Sequence, residues 1–478
     1  MTESWIRGGS RPPPNGSHRR GVQTVRPYRL TVTAALVTGF LSSAQPASAQ
    51  PALPAPWERG ASLRLLLPPR SQAHAWQSES PTPEAPASEP PGDGSSSPIG
   101  TLLLSGVPLK LGASITLRYE YTETSDLTDQ FRGDASANGL RYRLRLGAEF
   151  GAQSAPLRGG IRISASQTPN PAVEFSPLGN AFRPQDIGFD QAWVTVRPFA
   201  RRELLSFSFG KIPNPFWRGQ VGTWRSEMVW DNDISPSGVA LHVRPFDGPD
   251  FKLENVASYF QLNEIEDLRF IGKTGITSLI ADQLTVTTRW VTAAVAFYDY
   301  ENLNAGLSAS RTPANAFLLR PGLFMTNNHI NYGPGAEGFV TDAFRMVNAT
   351  AQLHFPISAP SVGNPEVFLL ADYIHNFEVP MDRDGIRVTA GVHMGDEQGR
   401  LQPLNLWMTY GSVDADAVLA TFADSDLGAG SDYSGLQAGI NYQLLRHLRA
   451  QFQFNHYDGS PLQENTVQRV FVDLLGDF

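Results

Sequence analysis

The chain has no cysteine among its 478 residues. Disulfide frameworks, thiolate catalysis and Cys-based zinc sites are therefore excluded, and the absence is compatible with an oxidising compartment. Beyond the first fifty residues no run of 18 apolar residues occurs, so no later segment can cross a bilayer as a helix. Positive charge is also in deficit: 38 Lys and Arg stand against 46 Asp and Glu, for a formal net charge of −8. Nine of those basic and six of those acidic residues precede position 99, so the remainder carries about −11, which argues against a nucleic-acid partner.

What is present begins with an export signal over residues 1–49: basic residues to Arg26 and Arg29, the apolar run "LTVTAALVTGFL" (30–41), and small residues at Ala47 and Ala49 before the expected cleavage. Residues 50–105 form a Pro/Ser/Ala-rich tether, "ESPTPEAPASEPPGDGSSSP" within it, too poor in apolar groups to repay the entropy of ordering. From 106 to 478 the composition changes to alternating strands.

In "GLRYRLRLGAEF" (139–150), Leu140, Tyr142, Leu144, Leu146, Ala148 and Phe150 share one face, while Arg141, Arg143 and Arg145 share the other. "ASITLRYEY" (113–121) sets Ile115, Leu117, Tyr119 and Tyr121 against Arg118 and Glu120, and "LRAQFQFNHY" (448–457) repeats the pattern. A soluble sandwich also alternates. These segments, however, run well past the ~5–6 residues of a soluble strand and match a tilted membrane-spanning one.

The connections alternate too. Long ones (125–137, 169–187, 213–235, 300–342, 414–432) interleave with short ones such as "FARR" (199–202), "FDGPD" (246–250) and "DEQGR" (396–400). Outer-membrane barrels have long outer loops and short periplasmic turns. The rhythm holds if 270–299 is a hairpin turning near "ADQL" (281–284), and the count is then about sixteen antiparallel strands. A barrel of that width holds a water-filled lumen. On strands whose other face is apolar, Arg118, Glu120, Arg141, Arg143, Arg145 and Arg162 line it.

The stretch "SEMVWDNDISPSG" (226–238) puts Asp231 and Asp233 one residue apart. As a calcium loop it fails, because Pro236 and His242 stand where Gly and Glu are required, so no metal is expected. No cofactor is expected either: "GPGAEG" (333–338) matches a dinucleotide fingerprint literally but lacks the strand–turn–helix frame. None of the nine His lies in a pattern suggesting a hydrolase.

Together "GKIPNPFWRG" (210–219), "SEMVWDNDISPSGVAL" (226–241), "VAFYDYENL" (295–303), "DADAVLATFADSDLGAGSDYSGLQAG" (414–439) and Phe478 resemble the bacterial putative-porin family. The resemblance implies an outer-membrane β-barrel channel and carries over no agreed substrate and no catalytic residues. A terminal Phe478 resembles the signal read by the barrel-assembly machinery. In general porins the third outer loop folds inward and narrows the barrel, and in the sixteen-strand count that loop is 213–235. Asp231 and Asp233 would then face the basic row across a constriction. The alternative is that they cap a turn through bonds to backbone N–H groups. Trp217, Trp224 and Trp230 crowd the same loop, where loop packing or an interface belt competes with stacking on sugar rings.

The expectation is an outer-membrane porin passing small hydrophilic solutes or ions passively. Its surroundings would be membrane lipid and lipopolysaccharide in a Gram-negative bacterium. Monomer and homotrimer both fit. The competing classes are a non-conducting barrel serving as adhesin or anchor, marked by a lumen plugged with apolar or tightly paired side chains, and a barrel hydrolase. The inward polar groups are expected to be solvated.

Overall fold

The structure is a computed structural model. It describes residues 100–478 except 105–106, 127–134, 153–154, 166–174, 180–186, 200–203, 222–223, 264–276, 304–329, 332–337, 340–343, 360–361, 396–401 and 460–464. The export signal, most of the tether and most of "GPGAEG" lie outside the described residues.

Sixteen long strands form one antiparallel sheet. They are β1 (Val107–Asp126), β2 (Ala135–Phe150), β3 (Leu157–Ala165), β4 (Ile187–Val196), β5 (Leu205–Lys211), β6 (Ser237–Asp247), β7 (Phe251–Asn263) and β8 (Thr277–Thr288). The second half comprises β9 (Val291–Glu301), β10 (Phe344–Pro356), β11 (Glu366–Asn376), β12 (Asp384–Met394), β13 (Leu404–Val413), β14 (Tyr433–Leu445), β15 (Leu448–Asp458) and β16 (Asn465–Asp477). β1 pairs with β16 in antiparallel register from Ser114↔Asp477 to Asp126↔Asn465, so the sheet closes. Closure removes both edges, which is what a sheet in hydrocarbon requires. Phe478 completes the seam: its backbone exchanges hydrogen bonds with Ala113 at 2.9 and 2.8 Å, and its ring stacks on His447. Gly100–Leu104, counted above with the tether, pairs with the start of β1 from Gly100↔Leu111 to Leu104↔Val107.

The alternation resolves as an inside-out protein. Leu117, Leu140, Val295 and Met408 are exposed on the outer face, whereas Arg118, Gln283, Thr389, Asn455 and Asp473 are buried on the inner one. A soluble sandwich would reverse this assignment; a barrel in lipid requires it.

The hairpin expected over 270–299 exists but turns elsewhere. β8 runs unbroken through "ADQL" to Thr288, and the reversal falls at Arg289 and Trp290. The polar pair that read as a turn is split across the sheet. Gln283 points inward and is 1% exposed, while Asp282 points outward and accepts a 2.7 Å hydrogen bond from Asn255 on β7. An outward carboxylate is unusual on a lipid-facing surface, and it disguised a strand as a turn.

One part of the inner wall is apolar. Phe260, Leu279, Tyr298, Tyr300, Phe344 and Met346, toward the long-loop ends of β7 to β10, are at most 1% exposed and form a core inside the barrel.

Candidate functional site

What covers that apolar wall is the loop after β5. Two prolines in "IPNPFW" (212–217) end the strand, since neither can donate to the ladder. Ile212, Phe216, Met228, Val229, Trp230 and Ile234 are then buried against the wall. Trp230 is 1% exposed and packs on Phe216 at 5.9 Å, Tyr298 at 6.0 Å and Phe422 at 5.9 Å between ring centroids.

Two wall glutamines hold the loop backbone as a strand neighbour would. Gln283 accepts from the N–H of Trp217 at 2.7 Å and donates to its carbonyl at 2.8 Å. Gln352 does the same for Gln220, both at 2.9 Å. The intervening Gly219 has φ +73°, the left-handed region that favours glycine, and a Cβ there would lie 1.9 Å from the end of the Leu370 side chain, which would have to move.

A second loop enters beside the first. Within 414–432, Ala417, Val418, Leu419, Phe422, Ala423 and Leu427 are buried in the same core. Phe422 stacks on Tyr300 as well as on Trp230. Asp231 donates its N–H to the Phe422 carbonyl at 2.7 Å, and Asp424 donates to the Glu227 carbonyl at 3.0 Å, so the two loops form a single inward unit.

The two aspartates have different surroundings. Asp233 Oδ1 accepts from Arg143 at 2.5 Å and from Arg145 at 2.9 Å. Burial alone would raise its carboxyl, but Arg143 and Arg145 outweigh that and hold it below the ordinary carboxylate value. Asp231 turns away from the basic row. Its Oδ1 accepts from the Asp233 N–H at 2.9 Å, a turn cap, and its Oδ2 accepts from the N–H and hydroxyl of Ser425 at 3.1 and 3.0 Å. Burial, then Asp233 and Asp424, push Asp231 well above the usual range. Glu227 rises likewise through burial, then Asp231 and Asp424.

Carboxylate oxygens of Glu227, Asp231 and Asp424 lie within 4.8 Å of one another, a group assembled from two loops that no sequence spacing reveals. Asp424 is pushed up by burial although Arg387 of β12 pairs with it at 2.8 Å, because Asp426 opposes that pairing.

The rest of the predicted row, expected to be solvated, lines the cavity in ion pairs. Arg118 makes a two-toothed contact to Asp473 at 2.8 and 2.9 Å and reaches Asp426 at 3.2 Å. Arg141 meets Glu120 at 2.6 Å, and Arg162 meets Asp190 of β4. Of the predicted row, Arg143 and Arg145 hydrogen-bond to the Asp pair of the loop, through Asp233. Of the tryptophans, Trp230 is a packing residue, Trp224 stacks on Phe368 at 5.9 Å, and Trp217 is partly exposed.

Beside the loop unit a cavity of about 1900 Å³ stays open. It extends from Lys110, Arg446 and Asp477 near the short turns to Glu120 and Arg141 toward the long loops. All six wall residues of the predicted row line it, as do Trp217, Trp224, Asp231 and Asp233.

Residues 116–320 match the family described as "Putative porin", so the resemblance read from the motifs holds there; 414–439 and Phe478 lie outside the matched range. No curated protein matches the chain. The outer membrane channel DcaP of Acinetobacter baumannii is similar at 11% identity, covering 78% of this chain and 98% of that one, with TM-score 0.44. Salmonella typhi OmpF in complex with Daunomycin is similar at 12% identity over 79% and 100%, with TM-score 0.45. An anion-selective porin from Comamonas acidovorans is similar at 11% identity over 78% and 100%, with TM-score 0.42.

Proposed function

We propose that the chain is an outer-membrane diffusion channel for small hydrophilic solutes or ions, narrowed by the inward loop after β5. The observation that carries this reading is the polar cavity of about 1900 Å³ left between the loop unit and the Arg-bearing wall of β1 to β3. Transport is passive, selected by the width of the passage and the charges on it, and no reaction is catalysed. Asp233 meets Arg143 and Arg145 in direct contact where the loop reaches the wall, so a solute passes beside this ion pair and is oriented by its dipole. Phe478 acts in assembly, and the export signal delivers the chain.

Recording the purified chain in a planar bilayer tests the channel: discrete conductance steps are expected, and a folded barrel that never opens sinks it. Asp233→Asn tests the narrowing. Removing one negative charge beside two guanidiniums should move the anion-to-cation permeability ratio by about twofold toward anions. Unchanged conductance and selectivity would take the loop out of the narrowing.

A second reading draws on the apolar core inside the barrel and the pairing of the lumen arginines, both marks of a non-conducting anchor. The open cavity favours the channel, and the same recording decides between them.

A further inference from the structure

The lumen carries the opposite charge balance from the chain. Among the described residues, sixteen Lys and Arg side chains and twelve Asp and Glu side chains line the cavity, while the whole sequence has 38 against 46. Adding Asp190, which sits behind Arg145 and Arg162, leaves the excess positive. A permeating ion responds to the local field, which low-dielectric walls focus, and hardly to charge on distant loops.

Pairing sharpens the difference. Asp473, Asp426, Glu120, Asp233 and Asp424 each face an arginine within 3.2 Å. Toward the short turns Glu254 faces Arg244 and Asp477 faces Arg449, while Glu149, Asp247 and Glu366 face Arg158, Lys252 and His354. Among the described residues, Lys110, Arg289, Arg446 and Arg469 line the cavity without an ion pair. Lining carboxylates without a Lys or Arg partner are Glu366, which faces only His354, and Glu227 and Asp231, which are crowded with Asp424 within 4.8 Å, where three full negative charges repel one another.

The uncompensated cations are also placed to act in sequence. Lys110 at the start of β1, Arg289 in the β8–β9 turn and Arg446 in the β14–β15 turn stand at the short-turn mouth. Arg469 stands deeper on β16, where it donates to the Ser425 carbonyl of the second inward loop at 2.9 Å. Among the described residues, the buried Arg387 Nη2 and Arg469 Nε find no acceptor.

We infer that the lumen selects small anions over cations, through four unpaired basic side chains set against a wall whose carboxylates are neutralised by pairing or crowded together. This rests on the channel reading and specifies the solutes it takes.

The test is the reversal potential of the purified full chain in a planar bilayer under a potassium chloride gradient. Chloride should permeate about threefold or more above potassium. In the triple variant Lys110→Glu, Arg289→Glu, Arg446→Glu, discrete openings should persist while the ratio falls to about one or below. The Gln versions of the same three changes give an intermediate ratio without added acid and guard against misfolding. Cation-selective openings in the unaltered chain, or a ratio unmoved in both variants, overturn the inference and leave the channel standing. Absence of openings ends both.

Discussion

Trp230→Ala is expected to loosen the narrowing while leaving the barrel closed. The indole is 1% exposed and is the point where the loop after β5, the 414–432 loop and the wall strand β9 meet, through Phe216, Phe422 and Tyr298. Removing it deletes the largest side chain of the inner core and leaves a cavity that the surrounding rings cannot fill, at a cost of about 3–5 kcal/mol. None of the sixteen strands depends on it for pairing, so the loss falls on the loop unit. Larger or noisier single-channel conductance is expected, with protease cleavage appearing inside 213–236. Unchanged conductance and full protease resistance would show that Gln283 and Gln352 hold the loop without the indole.

Much of the barrel was legible in the sequence because a period of two is local. "GLRYRLRLGAEF" and "ASITLRYEY" declare their faces within a dozen residues, and β1 and β2 pair in the register that puts Arg118 opposite Arg141. Strand number followed from loop rhythm. β8 was misread because Asp282 breaks the apolar face at the place where Gln283 supplies the polar one, and two adjacent polar residues imitate a turn. The inner core was partly visible in "VAFYDY", where β9 is apolar on both faces: Phe297 looks outward, and Tyr298 and Tyr300 look inward.

The site divides along the same line. Asp233 against Arg143 and Arg145 could be proposed from loop order, but Asp231 against Ser425 joins residues 194 positions apart, and no local pattern encodes it. The same holds for Glu227 beside Asp424, and for the glutamines that clamp Trp217 and Gln220. The arginines expected to be solvated are ion-paired for a physical reason: a wall that brings several guanidiniums together in a confined lumen relieves their repulsion by pairing. Asp190, Asp426 and Asp473 do this, and no local pattern around any of them names its distant arginine.

Arg387→Leu should damage the loop unit as severely as loss of Trp230, and in a pH-dependent way. The ion pair with Asp424 has side-chain exposures of 4% and 1%. Removing the cation leaves a buried carboxylate beside Glu227 and Asp231, at a cost of about 3–5 kcal/mol. Asp424 is already held above its ordinary value by burial, with Asp426 adding to it and Arg387 opposing. Without Arg387 it rises further, so the folded loops bind a proton that the unfolded chain has released. Stability therefore falls as pH rises from the ordinary carboxylate value, near 4, through the raised one. The deficit relative to the unaltered chain is expected to be largest at neutral and alkaline pH and to shrink toward about pH 4 and below, where both states come to carry the proton. Asp424→Asn combined with Arg387→Leu should restore much of the neutral-pH loss, because the amide keeps an oxygen for the N–H groups of Asp426 and Leu427, which now donate at 2.7 and 3.0 Å. Protease cleavage of 414–432 followed across pH measures this directly. A deficit that is flat with pH and survives the double change would assign the role of Arg387 to its contact with Tyr433, at 2.6 Å, instead of to the charge on Asp424.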